Sequence, residues 1–113
     1  MIIRLGEIEI CKNAKRAQTF AERSVGLMFS KSMKGFDGLL IRPCNSIHTF
    51  FMRYSIDVVF LAKDYTIIKV IRNLRPWRMS WIYFRSKQVL ELKGGSLPEH
   101  IKKGQKLEVL CTN

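Results

Sequence analysis

Seven short apolar segments, separated by turn-forming residues, limit most strongly what this chain of 113 residues can fold into. Each has the length and the β-branched or aromatic content of a strand, and residues 7–11 alternate polar and apolar side chains. No helical pattern alternates with these segments, which excludes a doubly wound parallel sheet. The sequence predicts a mostly β protein, a small barrel-like or strongly curved antiparallel sheet of about seven strands. The predicted strands are residues 7–11, 38–41, 47–52, 58–61, 66–71, 89–92 and 106–110.

One segment has helical periodicity instead. Ala14, Ala17 and Ala21 recur at the spacing of one helix face. Asn13 can cap the N-terminus of such a helix, and Gly26 can end it. The sequence therefore predicts one short helix over residues 14–24.

Length and cysteine content indicate one domain in a reducing compartment. We expect residues 1–113 to form a single, monomeric domain, because chains of this size build one core. Cys11, Cys44 and Cys111 are odd in number and widely spaced, unlike a disulfide framework. Cys11 and Cys111 lie in terminal strand-like segments and could be sheet neighbours. No apolar stretch has the length of a membrane span and no signal-peptide pattern is present, so we expect a cytoplasmic location.

The spacing of chemically reactive residues indicates neither a metal nor a cofactor. The two histidines, three cysteines and scattered carboxylates lack the close spacings that build zinc or iron sites. There is also no glycine-rich phosphate loop and no nucleophile elbow. We expect no cofactor.

Positive charge is the strongest compositional signal. Twenty Lys and Arg against nine Asp and Glu give a net charge of +11, and residues 63–87 hold seven basic residues and one acidic. Within them, residues 72–87 interleave arginine with aromatic residues. This pattern suits single-stranded nucleic acid, an anionic membrane surface, or a loop whose tryptophans cover one end of a barrel. The candidate polyanion-binding residues are Arg72, Arg75, Trp77, Arg78, Trp81, Arg85 and Lys87.

An ordered set of motifs resembles a known family. Residues 44–61 place His48, Thr49, Met52, Arg53 and Asp57 among apolar residues, and further matching motifs lie at residues 23–28, 38–41, 89–95 and 101–107. Together they resemble the prokaryotic domain of unknown function family 192. The resemblance implies a small β-rich, barrel-like domain and implies no established activity.

A second group of residues predicts a ligand site. If Tyr54 and Ser55 form the centre of a hairpin, alternation places His48, Met52 and Asp57 on one face. Asp57 must then be paired or solvated, and an ion pair with Arg23 is the first expectation. The candidate ligand-binding residues, which would frame a cleft at one barrel end, are His48, Met52, Asp57, Trp77 and Glu91.

Three functions remain open. The leading interpretation is a non-catalytic binding or accessory module that takes an unknown small molecule or protein in this polar and aromatic cleft. The second is weak binding of single-stranded nucleic acid through residues 72–87. The third is a small enzyme that uses His48 and Asp57 on an unknown substrate.

Overall fold

The described part of the chain contains eight strands, which form two sheets. The computed structural model describes residues 1–19, 22, 27 and 31–111. The strands are β1 (Ile2–Leu5), β2 (Ile8–Cys11), β3 (Ala14–Ala17), β4 (Gly38–Ile41), β5 (Ile56–Leu61), β6 (Ile67–Leu74), β7 (Gln88–Lys93) and β8 (Glu108–Leu110). One sheet has the order β2-β1-β8 and the other β3-β4-β7-β5-β6, and together they confirm a mostly β fold without forming a closed barrel.

Six of the seven predicted strands are confirmed, and residues 47–52 are the exception. In that segment His48 forms only an isolated bridge with Met79. Phe51 has a φ of 64°, a left-handed conformation that interrupts a strand. The predicted hairpin about residues 54 and 55 is therefore wrong, and Asp57 on β5 lies opposite Leu92 on β7.

The predicted helix over residues 14–24 is wrong at its start. Ala14–Ala17 is strand β3, which pairs in parallel with β4, so this pair departs from the antiparallel pattern. Instead of capping a helix, Asn13 donates its N–H to the Asp37 carboxylate at 3.0 Å. Thr19 and Glu22 exchange hydrogen bonds of 3.0 and 3.1 Å as a capping box does at a helix start. The rest of the predicted helix, residues 20, 21, 23 and 24, lies outside the described residues.

The core lies on both faces of the five-stranded sheet. A first cluster fills the space between the two sheets, and Ile3 of β1 meets Val59 of β5 and Leu92 of β7 in it. A second cluster covers the opposite face, where Val58, Phe60 and Val89 are completely buried. Because side chains alternate along a strand, β5 and β7 contribute to both clusters. The polar side chains of Asp57, Gln88 and Glu91 on these two strands are therefore buried, whereas Lys93 at the end of β7 is exposed.

The two terminal cysteines are not sheet neighbours, because β1 lies between β2 and β8. Cys11 is buried, and burial raises the pKa of its thiol to about 12, so it stays protonated. Cys111 is exposed and its Sγ accepts a hydrogen bond of 2.9 Å from Arg16.

No helix in the described ranges has the length and apolar content that crossing a membrane requires.

Candidate functional site

The loop between β6 and β7 is held in place by a buried threonine. Thr49 is completely buried, and its N–H donates to the Arg78 carbonyl at 2.8 Å while its carbonyl accepts from Trp77 N–H at 2.9 Å. Its hydroxyl donates to the Arg75 carbonyl at 2.6 Å and accepts from Arg78 N–H at 2.8 Å. The N–H groups of Ser80 and Tyr83 continue this pairing, because they donate to the carbonyls of Ile47 and Asn45. We call residues 75–87 the basic apolar loop.

This loop exposes large apolar side chains that a core would normally bury. Among the aromatic side chains of this loop, only Tyr83 turns inward, and its ring lies 4.6 Å from that of Phe60. Trp77 has a φ of 64°, rare for an aromatic residue, and its ring meets the Phe51 ring edge-on at 4.7 Å. Exposed patches of this kind mark interaction sites. The exposed fractions are 56% for Trp77, 70% for Met79, 82% for Trp81, 53% for Ile82 and 79% for Phe84.

The same loop is cationic. It holds four basic residues and no carboxylate, and all four basic residues are exposed: Arg75, Arg78, Arg85 and Lys87. Among the described residues the one ion pair, Arg4 with Glu108, joins strands of the other sheet. The loop's positive charges are therefore free to meet an anionic partner.

Arg72 differs from the other candidate polyanion-binding residues. Its guanidinium donates four hydrogen bonds of 2.9–3.2 Å to backbone carbonyls. These carbonyls belong to Leu97, Pro98, Glu99 and Ile101, so the side chain fastens the turn before β8 to β6. A guanidinium engaged in this way has little capacity left for a phosphate.

The five candidate ligand-binding residues fall into three places. His48 is exposed beside the basic apolar loop, where Phe50 links it to Trp77 through ring distances of 4.9 and 5.9 Å. Met52 is part of the second cluster. Glu91 lies on the same side of the sheet, because it is opposite Val58, another member of that cluster. Asp57 lies on the opposite face of the sheet. The structure thus groups His48 with Trp77 and separates both from Asp57.

Asp57 is buried and fully hydrogen-bonded by the backbone. Its Oδ1 accepts from Asn73 N–H at 2.8 Å, and its Oδ2 accepts from Gly95 at 3.0 Å and Leu97 at 2.9 Å. A buried carboxylate with three such donors needs no cation for compensation. The predicted ion pair with Arg23 stays a prediction, because Arg23 lies outside the described residues.

Glu91 is the second buried carboxyl group and has a different environment. The side chain is 4% exposed between apolar neighbours, and burial raises its pKa from the usual 4.5 to about 8. Burial, together with the nearby charge of Glu91, also raises the pKa of Tyr54 to about 12. At neutral pH both groups are protonated hydrogen-bond donors.

Tyr54 also lines a cleft of about 420 Å³, which we call the Tyr54 cleft. Met33 and Phe36 form its apolar wall, and Lys31 and Lys93 are its cations. Sequence reasoning missed both Thr49 and Tyr54. Thr49 could have been suspected as a polar residue inside an aromatic run, whereas nothing in the sequence marks Tyr54 as part of a cleft.

Two curated relatives are more than a third identical to this chain over the aligned residues. Residues 4–109 match the family DUF192, described as "Uncharacterized ACR". A UPF0127 protein of Pyrococcus horikoshii is 37% identical over 100 residues, which span 86% of this chain and 80% of that protein. A UPF0127 protein of Pyrococcus abyssi is 35% identical over 91 residues, which span 76% of this chain and 70% of that protein.

Two solved structures share the fold. A protein of unknown function from Novosphingobium aromaticivorans has a TM-score of 0.72 and 24% identity, covering 85% of this chain and 74% of its own. A Sinorhizobium meliloti protein, described as a candidate transcription regulator, has a TM-score of 0.70 and 26% identity. The likeness covers 84% of this chain and 79% of that protein. The likeness extends over most of the chain.

Proposed function

This chain belongs to DUF192, and because that family's description names no reaction, we propose a function from the chain's own surface. We propose that it is a non-catalytic binding module that docks on an anionic membrane surface through the basic apolar loop. The observation that carries this proposal is five large apolar side chains exposed beside four cations that no described carboxylate pairs.

The exposure of the loop's aromatic side chains argues against the interpretation that this loop covers one end of the fold. A loop that closed one end of the fold would bury its tryptophans, because that burial is what stabilises a lid. Trp81 is instead 82% exposed, and Phe84 nearly as much. Keeping such side chains in water costs free energy, which a partner surface recovers when it covers them.

The composition of the loop favours a membrane surface over single-stranded nucleic acid. Met79 and Ile82 offer aliphatic surface, which adds to interfacial binding but has no ring on which a base can stack. Tryptophan rings prefer the interfacial region of a bilayer. Arg75, Arg78, Arg85 and Lys87 flank the apolar residues, where they can reach anionic headgroups.

Two other candidate functions have less support. The enzyme alternative needs Asp57 to orient His48, but the Asp57 oxygens accept backbone N–H groups and the His48 Nδ1 accepts from Phe50 N–H. Nucleic-acid binding is supported by the aromatic rings of the loop and by the description of the Sinorhizobium meliloti relative. We treat it as the outcome that would replace our proposal.

Sedimentation with lipid vesicles tests the docking surface. We expect the wild type to bind vesicles that contain phosphatidylserine and to bind pure phosphatidylcholine much more weakly. Trp81→Ala combined with Phe84→Ala should weaken binding at least about tenfold, because two interfacial side chains lose their apolar contact. The matched control is Ile8→Ala with Leu110→Ala, which removes exposed apolar side chains from the other sheet and should change little.

Charge variants test the electrostatic part of the proposal. Arg85→Gln with Lys87→Gln should weaken binding roughly thirtyfold, since each basic residue near the surface contributes about 1 kcal/mol. Lys102→Gln with Lys103→Gln removes the same charge from an exposed turn outside the loop. Equal losses in both pairs would show attraction by net charge alone.

A labelled oligothymidylate tests the nucleic-acid alternative. Retention of this probe at about 200 mM salt, lost in Trp81→Ala, together with no binding to vesicles, would establish nucleic acid as the partner.

A further inference from the structure

Strand β6 forms an edge of the five-stranded sheet, and only the first part of this edge is covered. On its inner side β6 pairs with β5. On its outer side Ile67 donates its N–H to the Gln105 carbonyl at 2.7 Å and accepts from Gly104 N–H at 2.9 Å. Among the described residues, no strand pairs with the outer side of β6 beyond this point. The edge is therefore open from Lys69 onward.

The register of β5 and β6 shows which backbone groups face the open edge. Ile67 lies opposite Leu61 and turns its N–H and C=O away from β5. In an antiparallel ladder such pairs alternate with pairs whose residues are hydrogen-bonded to each other. The next pair, which contains Lys69, is therefore hydrogen-bonded, and Val70, opposite Val59, directs its N–H and C=O outward. A residue of this kind on an edge strand is a template for an added strand.

A groove of about 490 Å³ lies beside this edge, and its lining is cationic. Lys69, Lys102 and Lys103 line it with exposed side chains. Arg72 adds a fourth positive charge, and Glu99 is the one carboxylate among the described residues that line the groove. A second copy of the chain, paired along β6 by two-fold symmetry, would bring these cations against the same cations. The charge instead fits an acidic segment.

We propose that the open edge of β6 binds an extended, acidic peptide segment of a partner protein as an added strand. The backbone of this segment pairs with Val70, and its carboxylates lie near Lys69, Lys102 and Lys103. In this mode of recognition main-chain hydrogen bonds supply affinity and side chains supply specificity. The edge shares no residue with the basic apolar loop, so the proposal does not rest on membrane docking.

Fluorescence anisotropy with three capped, labelled heptapeptides tests the proposal. The first alternates glutamate and valine, and the second has lysine in place of glutamate. The third is the first with N-methyl groups on two adjacent central residues, which removes an N–H donor from each of its edges. We expect the first to bind at least about tenfold more tightly than either of the others. Equal binding of the first and third peptides, or no binding of the first at millimolar concentration, would overturn the proposal.

Charge variants locate the binding surface. Lys102→Gln with Lys103→Gln should weaken binding of the glutamate peptide at least about tenfold, because both side chains line the groove. Arg85→Gln with Lys87→Gln removes the same charge from the basic apolar loop and should change this binding little. Vesicle binding should show the opposite order, so failure of one proposal can be told from failure of the other. A peptide affinity that falls by the same factor in both pairs would rule out the edge as the site.

Amide hydrogen exchange reports on the edge itself. At saturating glutamate peptide, exchange of the Val70 amide should slow at least about tenfold, because its N–H gains an acceptor. Amides of β2, an edge strand of the other sheet, should not change. Unchanged exchange at Val70 would contradict strand addition. Protection of Val70 that rises with protein concentration in the absence of peptide would assign the edge to a second copy of the chain, and would also contradict the proposal.

Discussion

Asp57→Asn is expected to lower the free energy of unfolding by about 3–5 kcal/mol, because the carboxylate accepts three backbone N–H groups. An asparagine has one acceptor oxygen, and its NH₂ group would face at least one of these donors. At least one buried N–H then loses its partner, and the remaining bonds lose the charge that strengthens them. The effect should appear in chemical denaturation as a lower midpoint with an unchanged slope.

Two comparisons make the Asp57 result specific. Asp64→Asn is the matched control, since Asp64 is exposed and accepts one N–H from Thr66, so its loss should be below about 1 kcal/mol. A double variant with Arg23→Met tests the predicted ion pair, because effects that simply add exclude an interaction between the two residues. A loss below about 1 kcal/mol in Asp57→Asn itself would contradict the anchoring role of this carboxylate.

The stability of the protein should fall as the pH rises from about 4.5 to about 8, because of Glu91. The folded protein holds the proton up to the raised pKa of about 8, whereas the unfolded chain releases it near 4.5. Between these two pH values the free energy of unfolding decreases steadily, because the unfolded chain binds fewer protons than the folded protein. Above about pH 8 the free energy of unfolding decreases no further through this group. At about 1.4 kcal/mol per pH unit, the loss amounts to roughly 3–5 kcal/mol.

Glu91→Gln isolates this effect. Glutamine cannot ionise, so the difference in unfolding free energy between the variant and the wild type should grow with pH and level off above about 8. Taking the difference removes the contributions of other titrating groups, including the two histidines. A difference that does not change between pH 4.5 and 8 would mean that Glu91 ionises normally in the folded protein.

Local sequence patterns predicted correctly those strands whose backbone conformation does not depend on a distant segment. β5 and β7 are central and buried, and their β-branched and aliphatic runs were sufficient to recognise them. Residues 14–17 were assigned to a helix because alanine spacing fits a helix face, but pairing with β4 makes them a strand. Residues 47–52 have the composition of a strand, yet the hydrogen bonds of Thr49 go to the basic apolar loop. Both errors arose where a distant segment decided the backbone conformation.

The candidate surface was more predictable than the cleft. The interleaved arginines and aromatics of residues 72–87 indicated one exposed segment, of which residues 75–87 form the basic apolar loop and residues 72–74 belong to β6. Neighbours in sequence remain neighbours in such a loop. Arg72 could not be told apart from the others, since its carbonyl partners come from residues 97–101. The Tyr54 cleft joins residues from three separate stretches of the chain, 31–37, 54 and 93–96, and the sequence does not show that they meet.

Fluorescence of Trp81 on brominated vesicles tests the proposed docking most directly. Trp77→Phe leaves Trp81 as the remaining tryptophan and keeps an aromatic ring against Phe51. On phosphatidylserine vesicles we expect its emission to shift to the blue, and to be quenched when the lipid chains carry bromine, because the indole enters the interfacial region. The same variant with Arg85→Gln and Lys87→Gln should show both changes only at higher lipid concentration. Emission that stays at the wavelength of an indole in water, with no quenching at saturating lipid, would contradict docking through the basic apolar loop.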